Sequence, residues 1–140
     1  MVDAVERTSP SGGIQKSDVS AGLMAAFLGT AGVGHFVNAE FFDAIVPPWL
    51  PGSARFWTYV SGVVELTVAG LLVPRRTRRR GGQLAMVTFL GVWPANIWAA
   101  VDGGMDGLDP PFDEAWVAWL RVPFQIPMLL WARSIARIAD

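Results

Sequence analysis

The chain has no cysteine and a single histidine, His35. Without cysteine it forms no disulfide, holds no iron–sulfur cluster or thiolate zinc site, and offers no thiol nucleophile. One histidine excludes a bis-histidine haem within one chain. Charge is scarce too. Only 16% of the 140 residues are charged, against about a quarter in a typical soluble domain. The formal net charge of -1 gives no basic surface for a nucleic-acid partner. Phosphate loops, catalytic triads and metal-ligand spacings are all missing, so a self-contained enzyme is not expected. The glycines of GVGHF do not follow a strand and do not read as a nucleotide loop. What is present is apolar: 52% of residues are hydrophobic, with tryptophan at seven positions.

The apolar residues are not spread evenly. Residues 1–19, MVDAVERTSPSGGIQKSDV, are polar and predict a disordered tail. Four apolar runs follow, at 21–37, 56–73, 84–101 and 115–132. A helix of eighteen residues rises about 27 Å, close to the roughly 30 Å hydrocarbon layer of a bilayer. Each run is apolar around its circumference rather than along one stripe, which places lipid on part of it. In a bilayer every backbone polar group must be paired internally, so the runs are read as helices. The predicted fold is therefore all-α, an integral membrane four-helix bundle. Its helices fall at about 20–38, 55–73, 83–101 and 115–133, with a short end at 135–140.

Charge sets the orientation. Arg75, Arg76, Arg78, Arg79 and Arg80 share the loop between the second and third runs, and Arg7, Lys16, Arg133 and Arg137 flank the termini. The other two loops hold Arg55 alone among bases, against Glu40, Asp43, Asp102, Asp106, Asp109, Asp113 and Glu114. The positive-inside rule then puts both termini in the cytoplasm, with anionic-lipid contact as a by-product of the arginine loop. The 38–55 segment, NAEFFDAIVPPWLPGSAR, is too short and too proline-rich to span. It reads as a helical turn at the outer interface, as an anchor or alternatively as a lid.

Few polar side chains fall inside the runs: His35, Glu65, Asn96, Arg121 and Gln125. Counted from the outer helix ends, all five share one slab about 12 Å deep. Each sits on a stripe of small residues, such as Thr58, Ser61, Gly62 and Ala69 around Glu65, that faces other helices. Intramembrane ionisable groups are costly and mark functional sites by default. The five are thus candidates for an outward-facing polar pocket. A direct Glu65–Arg121 ion pair is the simplest expectation, and its loss in Arg121→Ala would cost several kcal/mol. Pro94, Pro123 and Pro127 are expected to kink the third and fourth helices beside the slab.

The stretches GVGHFVNAEFFDAIVPPWLP, SGVVELTVAGLLVP, WPANIWAAV and WLRVPFQIPMLLWA together resemble the DoxX-like family of small four-helix bacterial membrane proteins, across roughly residues 21–133. The resemblance implies that His35, Glu65, Asn96, Arg121 and Gln125 are the positions to carry over. It also implies an accessory or redox-linked membrane subunit, with a quinone as a possible cofactor. Relatives that work by thiol chemistry give no guide, because this chain has no cysteine. A non-enzymatic membrane partner or assembly protein is the alternative, and a homo-oligomer is compatible with either. A small transporter is weaker, since no inverted repeat is visible. No metal site is expected.

Overall fold

The structure is a computed structural model that describes residues 13–138. The order is α1 (Lys16–Val37), α2 (Ala39–Asp43), α3 (Ala54–Leu72), α4 (Arg78–Val101) and α5 (Ala115–Ile138), with no strand among the described residues. The all-α reading holds. α1 begins at Lys16 rather than near residue 20, because Asp18 at its first turn accepts the Gln15 backbone N–H at 2.9 Å. Lys16 to Val19 thus belong to a helix. Of the rest of the predicted tail, residues 13–15 have no regular structure and residues 1–12 lie outside the described residues, as do residues 139–140. α4 starts five residues early and takes in Arg78, Arg79 and Arg80. α5 runs five residues further than predicted, to Ile138.

Four spans were expected. α1 and α4 are long and apolar enough to cross a membrane. α3 and α5 miss that mark because Glu65 and Arg55 in one, and Arg121 and Gln125 in the other, lower their mean hydropathy.

The four long helices form two tight pairs, α1 with α3 and α4 with α5. Glycine sets the closeness of both. A Cβ on Gly62 would lie 2.8 Å from the His35 Cβ and 3.1 Å from the Gly32 carbonyl oxygen, so α1 and α3 touch backbone to backbone there. A Cβ on Gly82 would lie 2.7 Å from the Ala136 backbone nitrogen, fixing α4 against α5. Backbone cannot swing aside, so Gly82→Ala should destabilise the protein by about 1–3 kcal/mol. Gly70→Ala, on α3 with nothing within 4 Å, should leave it unchanged or slightly stabilised. Thermal melting of both variants in detergent checks this.

The pairs meet at one end of the bundle, here called the arginine end. Met24, Leu28, Val68, Leu72, Ala85, Phe89, Ala132 and Ile135 close into a dry core there. The α3–α4 turn is closed by Thr77, whose hydroxyl donates to the Leu71 carbonyl at 2.7 Å. Arg78 is buried and donates to the Leu72 and Val73 carbonyls, each at 3.1 Å, satisfying the free end of α3. Its third bond, at 2.8 Å, goes to Asp18 at the start of α1, which Arg75 also contacts through Nε at 2.9 Å and through Nη2. One carboxylate thereby staples α1 to the α3–α4 turn.

The Arg75 guanidinium, with help from the Gln15 N–H and Arg78, holds the Asp18 carboxyl well below the usual carboxylate range. A depressed carboxylate stabilises the fold above its unfolded value of about 4 and loses that contribution as pH falls through the lower folded value. The melting temperature of the wild type should therefore drop toward that of Asp18→Asn as pH is lowered from 7 to about 3. A gap between the two proteins that stays constant with pH would contradict the staple.

At the other end, called the α2 end, the pairs are held apart. α3 starts at Ser53, whose hydroxyl accepts the Phe56 N–H at 3.1 Å, after Gly52 turns the chain with φ +90°. α4 stops in a Schellman turn, with Gly103 at φ +101° and the Gly104 N–H on the Ala99 carbonyl at 2.9 Å. A second small core of Ile45, Ala99 and Met105 fills this end.

Candidate binding cavity

Between the two cores and between the two helix pairs lies a cavity of about 580 Å³. That is within the usual range for a small-molecule site. Its floor is Leu28, Phe89 and Met128, part of or packed on the arginine-end core. Its roof is the segment after α1, with Phe41, Phe42, Ile45, Val46, Pro47 and Leu50 all lining it. That segment was read as an interfacial anchor or a lid. Here it covers the cavity, while Trp49 is 60% exposed and does not line it. Asp43 holds the roof to α3, accepting from Thr58 Oγ1 at 2.6 Å and Arg55 Nε at 2.9 Å. Phe41 meets Phe112 edge-on at 5.3 Å, joining the roof to the 102–114 loop.

All five polar residues singled out from the sequence line this one cavity. They divide by helix pair. His35 and Glu65 stand on the α1/α3 wall, and Asn96, Arg121 and Gln125 on the α4/α5 wall. His35 Nδ1 donates to the Ala31 carbonyl at 2.7 Å, which fixes the proton on Nδ1 and leaves Nε2 as an acceptor in the neutral ring. The same Nδ1 lies 3.3 Å from Glu65 Oε2, and the ring stacks on Phe42 at 3.7 Å.

The expected Glu65–Arg121 pair is not formed. Glu65 approaches His35, and Arg121 Nη1 donates to the Met105 sulfur at 3.3 Å. The reason is topological. α3 and α5 sit diagonally across the bundle, and the cavity separates them. Two ionisable groups of opposite sign therefore face a shared space without neutralising one another.

Other groups are also left over. Glu65 Oε2 and Gln125 Oε1 are fully buried without a hydrogen-bond donor. Asn96 is buried and lines the same cavity. Buried polar atoms are rarely left so, because each costs about 1–3 kcal/mol. Clusters of His, Asp and Glu able to hold a metal are missing among the described residues. The arrangement can bind and orient a polar group and can hold or pass a proton at Glu65 and His35. It offers no activated nucleophile.

Sequence reasoning missed four contributors: Phe42, which stacks on the His35 ring, Thr58 and Asp43, which together fix the roof, and Met105, which accepts from Arg121. Met105 carried a signal. It is one of two large apolar residues, with Leu108, in the acidic, glycine-rich loop DGGMDGLD, and it is completely buried.

Residues 24–136 match the family described as a domain of unknown function, DUF8561, and the chain belongs to that family. The match spans α1 to α5 and includes every cavity residue named above. No curated protein and no solved structure matches the chain.

Proposed function

We propose that this protein is a multi-pass membrane protein of the cytoplasmic membrane, with its arginine end in the cytoplasm and its α2 end outside. On this reading the cavity receives the head group of a quinone or a lipid, and the protein serves as an accessory or redox-linked subunit. The observation that carries the reading is that Glu65 and Arg121, not paired with one another, face one largely apolar cavity.

The exposed surface supports the membrane. Large apolar side chains stand exposed on all four long helices, among them Leu23 and Val33, Val63 and Leu66, Val87 and Leu90, and Leu120 and Leu130. Soluble monomers rarely expose apolar surface in continuous belts. Of the polar residues on α3 and α5, Thr58, Glu65 and Gln125 are buried and Arg121 is half-buried, while Arg55 is exposed at the start of α3. An average along such a helix mixes a polar cavity wall with an apolar outer face. The arginine loop and the acidic opposite loops support the orientation.

Quinone chemistry fits the donor set. Arg121 and Asn96 can donate to ring oxygens, and Glu65 and His35 Nε2 can accept from ring hydroxyls. A quinone would supply two-electron, two-proton exchange, and the protein would hold the ring and a proton at Glu65. The DoxX-like motifs point the same way.

Mass spectrometry after gentle purification from native membranes tests this. An isoprenoid quinone or a lipid should co-purify in stoichiometric amount, and Glu65→Gln should lower its retention at least tenfold. A tightly held partner protein with no small amphiphile would instead favour an assembly role.

A further inference from the structure

The ligand reading says nothing of how a bulky amphiphile gets in or where its tail goes. We propose that the cavity opens sideways between α1 and α5, flanked by Phe27 and Phe124, and that it takes single-chain amphiphiles whose tail leaves through this portal into the bilayer. The inference rests on the cavity being a head-group site, as proposed above.

Three observations carry it. First, α1 and α5 are weakly joined. They share few contacts, in contrast to the tight α1/α3 and α4/α5 pairs. Their polar link is at the arginine end, where Trp131 Nε1 donates to Ser20 Oγ at 2.9 Å. Above it nothing polar closes the seam among the described residues.

Second, Phe27 and Phe124 both line the cavity and are 42% and 55% exposed. A side chain that borders a cavity and also meets the surroundings marks its edge. The two lie at one depth. Phe27 is ten residues before the end of α1 at Val37, and Phe124 is nine after the start of α5 at Ala115. At 1.5 Å per residue both are about 15 Å from the outer helix ends, near the bilayer midplane.

Third, the two helices that border the seam line the cavity mostly with apolar side chains at that depth. Phe27, Leu28 and Ala31 of α1 and Phe124 and Met128 of α5 line it there with Gln125 of α5 as the polar exception, while His35 and Arg121 lie nearer the outer helix ends and Glu65 and Asn96 belong to α3 and α4. One chamber thus offers a polar berth beside an apolar exit. An alkyl or isoprenoid chain in that exit contacts lipid and the mainly apolar side chains of α1 and α5. A single chain suits a gap between two helices.

The test uses one benzoquinone ring in two forms, without a tail and with a ten-carbon tail, on the detergent-purified full chain. Phe27→Trp combined with Phe124→Trp should weaken the tailed probe at least tenfold and leave the tail-less probe within twofold. Equal weakening of both, or of neither, overturns the portal while leaving the head-group site in place. Failure of both probes on the wild type overturns the head-group reading and the portal with it. A diazirine at the tail end of the longer probe gives a second readout without substitutions. Labelling should fall on peptides around Phe27 and Phe124. Labelling centred on Ser61 and Gly91, between α3 and α4, would overturn the assignment.

Discussion

Arg78→Ala is expected to lower the unfolding free energy by about 3 kcal/mol, more than removal of any other arginine in its loop. The side chain is buried, and its three donors serve three acceptors: the Leu72 and Val73 carbonyls and Asp18. Alanine removes all three bonds at once. It leaves two helix-end carbonyls without a donor, and each such group costs about 1–3 kcal/mol when water cannot reach it. Arg75 keeps hold of Asp18, which limits the loss. Arg78→Lys should recover less than half, because an ammonium cannot spread donors across three directions as a guanidinium does. Arg76→Ala, at an exposed position in the same loop, should change stability by less than about 0.5 kcal/mol. Denaturant or thermal unfolding in one detergent ranks the three. If Arg78→Ala melted with Arg76→Ala, the staple would be decorative.

The second large effect is on binding. Arg121→Ala should reduce retention of the cavity ligand at least tenfold while shifting stability by no more than about 1 kcal/mol. A direct ion pair with Glu65 would demand the opposite, several kcal/mol of lost stability. The contact Arg121 does make, with the Met105 sulfur, is to a weak acceptor, so its loss costs little. The guanidinium is the one cationic group on the cavity wall. It is free to donate to a ligand because no carboxylate occupies it. The measurement couples a melting curve to ligand quantification by mass spectrometry on the same sample. A strongly destabilised Arg121→Ala protein would restore the direct pair.

The contrast between these two arginines shows which features the sequence makes legible. Depth along a helix can be counted from helix ends. It brought His35, Glu65, Asn96, Arg121 and Gln125 to one level, and all five line one cavity. Depth does not tell which helices are neighbours. Glu65 and Arg121 share a level but sit on diagonal helices, so the pairing drawn from depth alone was wrong. The order of helices around a bundle depends on where backbones can touch. That is settled at Gly32, Gly62 and Gly82, by contacts between residues far apart in sequence. Arg78 was hidden for a different reason. Five arginines in a loop are accounted for by topology, and nothing local separates the one that turns inward. Its carboxylate partner is sixty positions away, in a stretch read as tail.

On the membrane reading proposed above, the two tight pairs also bear on how the chain would enter a bilayer. Each joins one helix apolar enough to enter alone, α1 or α4, with one that is not, α3 or α5. The stronger member comes first in both cases. During synthesis α1 and then α4 would already be lodged when α3 and then α5 emerge. Each later helix would find a glycine on its partner against which its backbone can close, Gly32 of α1 for α3 and Gly82 of α4 for α5. Biogenesis would then proceed by hairpin-like partnership, and a defect in Gly62 or Gly82 would surface first as failed insertion, before any folded protein exists to be destabilised.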